Sequence, residues 1–213
     1  SYVSQTIIDG GSPSISDSAS VVTFIGGETS AAKLVGFTLQ NGNGLKDQII
    51  NSRRYGGGIY TIRSSPTLKH LSVKNNANST GESVYGAGIY FGTQSDAILD
   101  SSEISNNGES NIGSGGGIYI NNNTDVTFDG VLINNNKAYF GGGIFLPSKL
   151  SNANPVFRRV EIISNEALHG GWIYVGGRTT GLLKMYNSKV TNNIATGYGG
   201  GFYIIRSTNE IEL

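Results

Sequence analysis

The chain has 213 residues, with 15 lysines and arginines balanced by 15 aspartates and glutamates; only 14% of residues are charged, which argues against a nucleic-acid or acidic-membrane partner. It has no cysteine, which excludes disulfide frameworks and thiolate zinc sites, and no apolar run long enough to cross a bilayer as a helix. The 37% hydrophobic content suffices for a lean continuous core, and 32 glycines with many asparagines predict short elements joined by tight turns.

In chain order, Thr6–Gly10 and Val21–Ile25 read as strands of an irregular first coil over residues 1–32. Leu34–Gly42 is a degenerate copy of a nine-residue segment that recurs at Leu68–Asn76, Leu99–Asn107, Phe128–Asn136, Phe157–Asn165 and Met185–Asn193. In each full copy the first, fourth and sixth residues are mostly apolar and the ninth is asparagine. Out of phase with it runs a glycine motif: Gly56–Tyr60, Gly86–Tyr90, Gly115–Tyr119, Gly141–Phe145, Gly170–Tyr174 and Gly199–Tyr203. Its apolar residues Ile59, Ile89, Ile118, Ile144, Ile173 and Phe202 recur at nearly constant spacing, the mark of stacked units. Two stretches break the period, Gly42–Arg54 and Pro147–Pro155.

Within the glycine motif, each apolar residue shares a face with the residue two positions on (Thr61, Phe91, Ile120, Leu146, Val175, Ile204), which is strand periodicity. Short Ile/Val/Tyr-rich strands bounded by Gly and Asn predict an all-β parallel solenoid with three strands per turn. The first glycine is expected to turn a corner at positive φ, the second to face inward and the third outward; the asparagines are expected at another corner, laddered from coil to coil.

These motifs resemble known repeats. The coil length is that of the pectate-lyase-like right-handed parallel β-helices. The Gly/Ala/Gly-Ile units, paired with Val73–Asn76, Ile104–Asn107, Ile133–Asn136, Ile162–Asn165 and Val190–Asn193, look like the GGAI and FxxN repeats of chlamydial polymorphic outer-membrane proteins. An aliphatic residue replaces the Phe, and Gly usually replaces the Ala. The resemblance covers residues 33–208. It implies a single right-handed parallel β-helix over 1–213 with about seven coils, a fragment of an exported, extracellular or cell-surface protein.

Facing opposite to the isoleucines, Tyr60, Tyr90, Tyr119, Phe145, Tyr174 and Tyr203 are expected as an exposed aromatic stripe, either packing on itself or forming a contact platform for a glycan or a host or neighbouring cell surface. Tyr55, Tyr85, Phe140, His169 and Tyr198 stand just before the glycines as a second, less regular row. Trp172 alone breaks the third-glycine column and is expected to stand proud beside Tyr174 as a sugar-stacking residue or a local packing group. The other candidate is an outward column of Lys69, Asp100, Asp129 and Arg158. Adjacent Asp100 and Asp129 could hold calcium, and polysaccharide lyases of the resembling fold use such acids with a nearby base; the competing reading is a charge ladder pairing Lys69 with Asp100 and Arg158 with Asp129. His70 and His169 lie in different columns, without companions at metal-ligand spacing, and read as surface histidines. Asn78–Thr80 and Asn122–Thr124 match glycosylation sequons.

Near-constant coil length argues against a walled catalytic cleft. The reading is an adhesin or presentation module with no catalytic residues, the alternatives being a polysaccharide lyase or hydrolase and a passive or end-to-end associating fibre.

Overall fold

A computed structural model describes residues 6–11, 18–50, 52–77, 82–110, 112–147, 153–176, 182–205 and 210–212. Among these residues there is no helix, and the chain winds into a parallel β-solenoid of about six turns. The sequon at Asn78–Thr80 lies outside the described residues, as does the middle of the Pro147–Pro155 stretch.

Three seven-stranded parallel sheets form the walls. Sheet I stacks Val22–Phe24, Ile59–Thr61, Ile89–Phe91, Ile118–Ile120, Ile144–Leu146, Ile173–Val175 and Phe202–Ile204. Sheet II runs from Lys33–Val35 through Ile98–Asp100 to Glu210–Glu212, and sheet III from Ile7–Asp9 through Glu103–Ser105 to Lys189–Thr191. The register follows the repeat: Ile59, Ile89, Ile118, Ile144, Ile173 and Phe202 are successive partners. Val22 pairs with Ile59 and Ile7 with Thr38, so the first coil belongs to the same stack.

A fourth, broken strip goes beyond the expected three strands per coil. It comprises Ser18–Ala19, Gly44–Lys46, Arg53–Tyr55 and Ser83–Tyr85 in one part and Lys137–Phe140, Glu166–His169 and Ile194–Tyr198 in the other. The Gly42–Arg54 excursion folds back as a hairpin, with Leu45 opposite Tyr55 and Lys46 opposite Arg54 in antiparallel register. Asp47 holds its turn by accepting the amides of Ile49 at 2.8 Å and Ile50 at 3.0 Å, and the Tyr55 hydroxyl donates to it at 2.8 Å.

The core is one continuous cluster with a column for each repeat position. Leu68, Leu99, Phe128 and Phe157 are fully buried, with Phe128 and Phe157 stacked at 4.7 Å, and Val73, Ile104, Ile133 and Ile162 form the facing column. The ninth-position asparagines lie inside as well. Asn76, Asn107, Asn136 and Asn165 have no exposed surface, and each amide nitrogen donates to the carboxamide oxygen one coil on at 2.9–3.0 Å, ending on Asn193. The same oxygens accept the backbone N–H of the preceding asparagine, closing a ladder in which buried amides satisfy one another. The positive-φ corner belongs instead to the residue before: Asn75, Asn106, Asn135, Ser164 and Asn192 have φ of 53–57°. There asparagine tolerates the left-handed region.

The glycine corner is as expected at the first position, where Gly56, Gly86, Gly115, Gly141, Gly170 and Gly199 have φ of 60–69°. The third position is corrected. A Cβ on Gly58 would lie 2.5 Å from Val73 Cγ1 and one on Gly88 2.9 Å from Ile104 Cγ2, so this column faces the core. The left-handed corner interrupts simple alternation, leaving the third glycine and the following isoleucine both on the inside.

Candidate functional site

That register places Trp172 in the core. Its side chain is 2% exposed, and its ring sits 3.9 Å from that of Phe202 in an edge contact, so it does not stand proud and is withdrawn as an exposed sugar-stacking residue. The third-glycine column leads inward, and the one bulky residue in it fills the C-terminal end of the core.

The aromatic column forms as expected. Centroids step 5.4, 5.0, 5.1, 5.0 and 5.3 Å from Tyr60 through Tyr90, Tyr119, Phe145 and Tyr174 to Tyr203. Its exposure is corrected, because Tyr90 is 7% and Tyr119 8% exposed, whereas Tyr60, Phe145, Tyr174 and Tyr203 are half-buried. The cause is the second row. Four of its rings lie over the inner ring of the next coil: Tyr55 on Tyr90 at 5.0 Å, Tyr85 on Tyr119 at 5.6 Å, Phe140 on Tyr174 at 4.9 Å and His169 on Tyr203 at 5.4 Å. The two rows make a double-layered aromatic edge along the strip. Burial pushes the Tyr90 and Tyr119 hydroxyls far above the ordinary phenol value, and burial with the Asp47 hydrogen bond pushes Tyr55 up to about 12. Tyr198, at the C-terminal end, is 64% exposed.

His169 belongs to this edge, stacked on Phe140 at 5.6 Å and on Tyr198 at 5.2 Å, with its Nδ1 accepting the Tyr198 amide at 3.2 Å. His70 is exposed on a left-handed turn with φ of 51°, far along the coil from His169.

The second row is interrupted once. Ser114 is the in-register partner of Tyr85 on one side and Phe140 on the other, yet carries no ring. Over it opens a cavity of about 380 Å³ lined by Ser52, Ser83, Glu82, Tyr85, Ser114 and Tyr139, with Ile112, Gly113 and Phe140 completing its wall. Glu82 pairs with Arg54 and with Lys46, the latter at 3.8 Å, so its charge is compensated; Arg54 also donates to the Gly44 carbonyl at 3.2 Å. Arg53 lies over the Tyr85 ring at 5.6 Å. The ringless position is legible in the sequence as Ser114 before the third glycine motif, but nothing in the repeat itself reveals that the neighbouring strip opens a cavity there.

The charged column is in register, Asp100 pairing with Lys69 and Asp129, and Asp129 with Arg158. The ladder reading holds for its first pair, Lys69–Asp100 at 2.7 Å; this hydrogen bond, with a second from Ser101, holds the Asp100 carboxyl below its ordinary value. The second pair is different: Asp129 binds Arg159 at 2.7 Å, while Arg158 lies over the Tyr186 ring at 4.9 Å. Asp100 and Asp129 are thus each turned to a cation, and no group of three or more histidine, cysteine, aspartate or glutamate side chains able to hold a metal occurs among the described residues. In the Asn122–Thr124 sequon, the Thr124 hydroxyl is buried and donates to the Gly92 carbonyl at 2.8 Å, serving the coil.

Among the described residues no helix is long and apolar enough to cross a membrane. No family model, no curated protein and no solved structure matches the chain, so the repeat resemblance stands on the sequence motifs, and what the molecule is shown to be is a parallel β-solenoid.

Proposed function

We propose that the chain is a rigid presentation module, exported or displayed at a cell surface, that contacts glycans or an opposing surface through its aromatic edge and performs no catalysis. The observation that carries this reading is the double row of rings along one edge of the solenoid, in which Tyr198 is exposed and Tyr60, Phe145, Tyr174 and Tyr203 are half-buried. Stacked rings held at fixed spacing present a preorganised apolar face bordered by hydroxyls, which costs little entropy to bind. Zero formal net charge leaves the recognition to shape and stacking rather than to long-range steering.

Binding of the chain to immobilised glycans and to whole cells tests this. Tyr198→Ala combined with Tyr203→Ala is expected to lower retention at least tenfold without altering the far-ultraviolet spectrum. Undiminished retention by that double variant, or turnover of a bound glycan, refutes the proposal. Tyr90→Ala and Tyr119→Ala are unsuitable probes of binding, since their rings are buried and their loss falls on the fold. Concentration-dependent sedimentation would separate a fibre-forming role, to which the exposed Ile194 and Ile204 at the last described coil could contribute.

A further inference from the structure

At Ser114 the second row lacks a ring. Along the rest of the second row adjacent rings lie 5.5 Å apart (Tyr55 to Tyr85), 5.6 Å (Phe140 to His169) and 5.2 Å (His169 to Tyr198). Tyr85 and Phe140 flank Ser114 in unbroken register. Two coil steps between them come to roughly 9–10 Å, the spacing at which one further ring would stack on both. The backbone itself is continuous: Ser114 donates to Val84 at 3.0 Å, and Gly115 donates to Phe140 at 2.8 Å. Ser114 carries no ring, and it lines a cavity of about 380 Å³ that extends from this position to Ser52 and Glu82.

We propose that this slot binds one hexopyranose unit of a neutral glycan, the sugar ring standing in the column where a side-chain ring is missing. The inference rests on the presentation reading above and names the subsite at which a glycan would be held. Tyr85 and Phe140 offer apolar faces for the C–H faces of the sugar ring. Hydroxyls of Ser52, Ser83 and Ser114 and the Glu82 carboxylate line the same cavity, within a wall that also includes Tyr139. An aromatic side chain of a protein partner would fill the gap equally well by shape but would desolvate these polar groups without replacing their hydrogen bonds, a cost that a polyhydroxylated ring avoids. Glu82 is already neutralised by Arg54 and Lys46, so the lining makes no demand for a charged ligand.

The test is calorimetric titration of the chain with neutral hexo-oligosaccharides of α-glucan, β-glucan and β-galactan type, alongside a tyrosine-bearing peptide. One glycan class is expected to bind, and Ser114→Phe, which supplies the missing ring, is expected to lower the affinity at least tenfold. Should Ser114→Phe fail to fold, Tyr139→Ala on the cavity wall carries the same expectation. Absence of binding by all three glycan classes, binding unaffected by Ser114→Phe and Tyr139→Ala, or Ser114-dependent binding of the peptide without any glycan each overturns the assignment. Retention on surfaces that depends on Tyr198 and Tyr203 but not on Ser114 overturns this slot while leaving the presentation role standing; loss of both dependences removes the two together.

Discussion

Asn136 sits at the centre of the asparagine ladder, and its replacement by alanine tests how much of the solenoid that ladder holds. The side chain makes four hydrogen bonds and has no exposed surface: Oδ1 accepts from Asn107 Nδ2 and from the Asn107 amide, each at 3.0 Å, while Nδ2 donates to the Ile104 carbonyl at 2.9 Å and to Asn165 Oδ1 at 3.0 Å. Alanine leaves the buried Asn107 amide and one Asn107 Nδ2 proton without their protein acceptor and opens a void in the core. A stranded buried donor costs about 1–3 kcal/mol and each lost bond about 1 kcal/mol, so Asn136→Ala is expected to destabilise by about 3–6 kcal/mol. Against a total stability of about 5–15 kcal/mol for an ordinary domain, that is a large fraction of what holds the fold. Urea unfolding followed by circular dichroism measures it, with Asn135→Ala as the control. Asn135 is exposed and left-handed, with φ of 53°, so its replacement should cost only about 1 kcal/mol through backbone strain. Asn136→Asp should be at least as damaging near neutrality, because a carboxylate oxygen then faces the Ile104 carbonyl and Asn165 Oδ1, and should recover in part on acidification. If Asn136→Ala loses no more than Asn135→Ala, the ladder is incidental and the account of the core fails.

Trp172, the chain's one tryptophan, is expected to fluoresce as a buried indole shielded from acrylamide, and Trp172→Ala to destabilise by about 3–5 kcal/mol; ready quenching in the native state would return the residue to the surface. Alkali should unfold the protein through its tyrosines. Tyr90, Tyr119 and Tyr55 have folded-state values raised above the ordinary 10.0, Tyr55 to about 12, so the stability they contribute is complete below pH 10 and is lost as pH rises through the folded values, where the unfolded chain sheds the phenolic protons first. Tyrosinate absorbance and loss of structure should therefore rise together above pH 10, and full tyrosine ionisation with the fold intact would contradict the burial of the inner column.

Much of the wall structure was legible because a solenoid repeats its environment: a residue and its counterpart one coil on occupy the same surroundings, so spacing alone aligns Ile59 with Ile89 and Leu68 with Leu99. The asparagine ladder and the first-glycine corner follow from the same logic. The candidate site was legible only as a list of rings. Which of them are covered depends on how the residue before each glycine leans across the neighbouring coil, and on where the strip between sheet III and sheet I breaks. Nor does the charged column reveal its partners, because Arg158 and Arg159 are adjacent in sequence and only their directions at the sheet edge decide which one reaches Asp129.

By itself, then, the amino-acid order determined an all-β parallel solenoid, its strand register and its isoleucine and leucine core columns, since period and alternation are properties of the chain. Tertiary structure decided what period cannot encode. The left-handed corner sends both the third glycine position and the next residue inward, which buries Trp172; the second row closes over Tyr90 and Tyr119; and the ringless Ser114 becomes a slot only because Tyr85 and Phe140 are brought to either side of it by coils a full turn away.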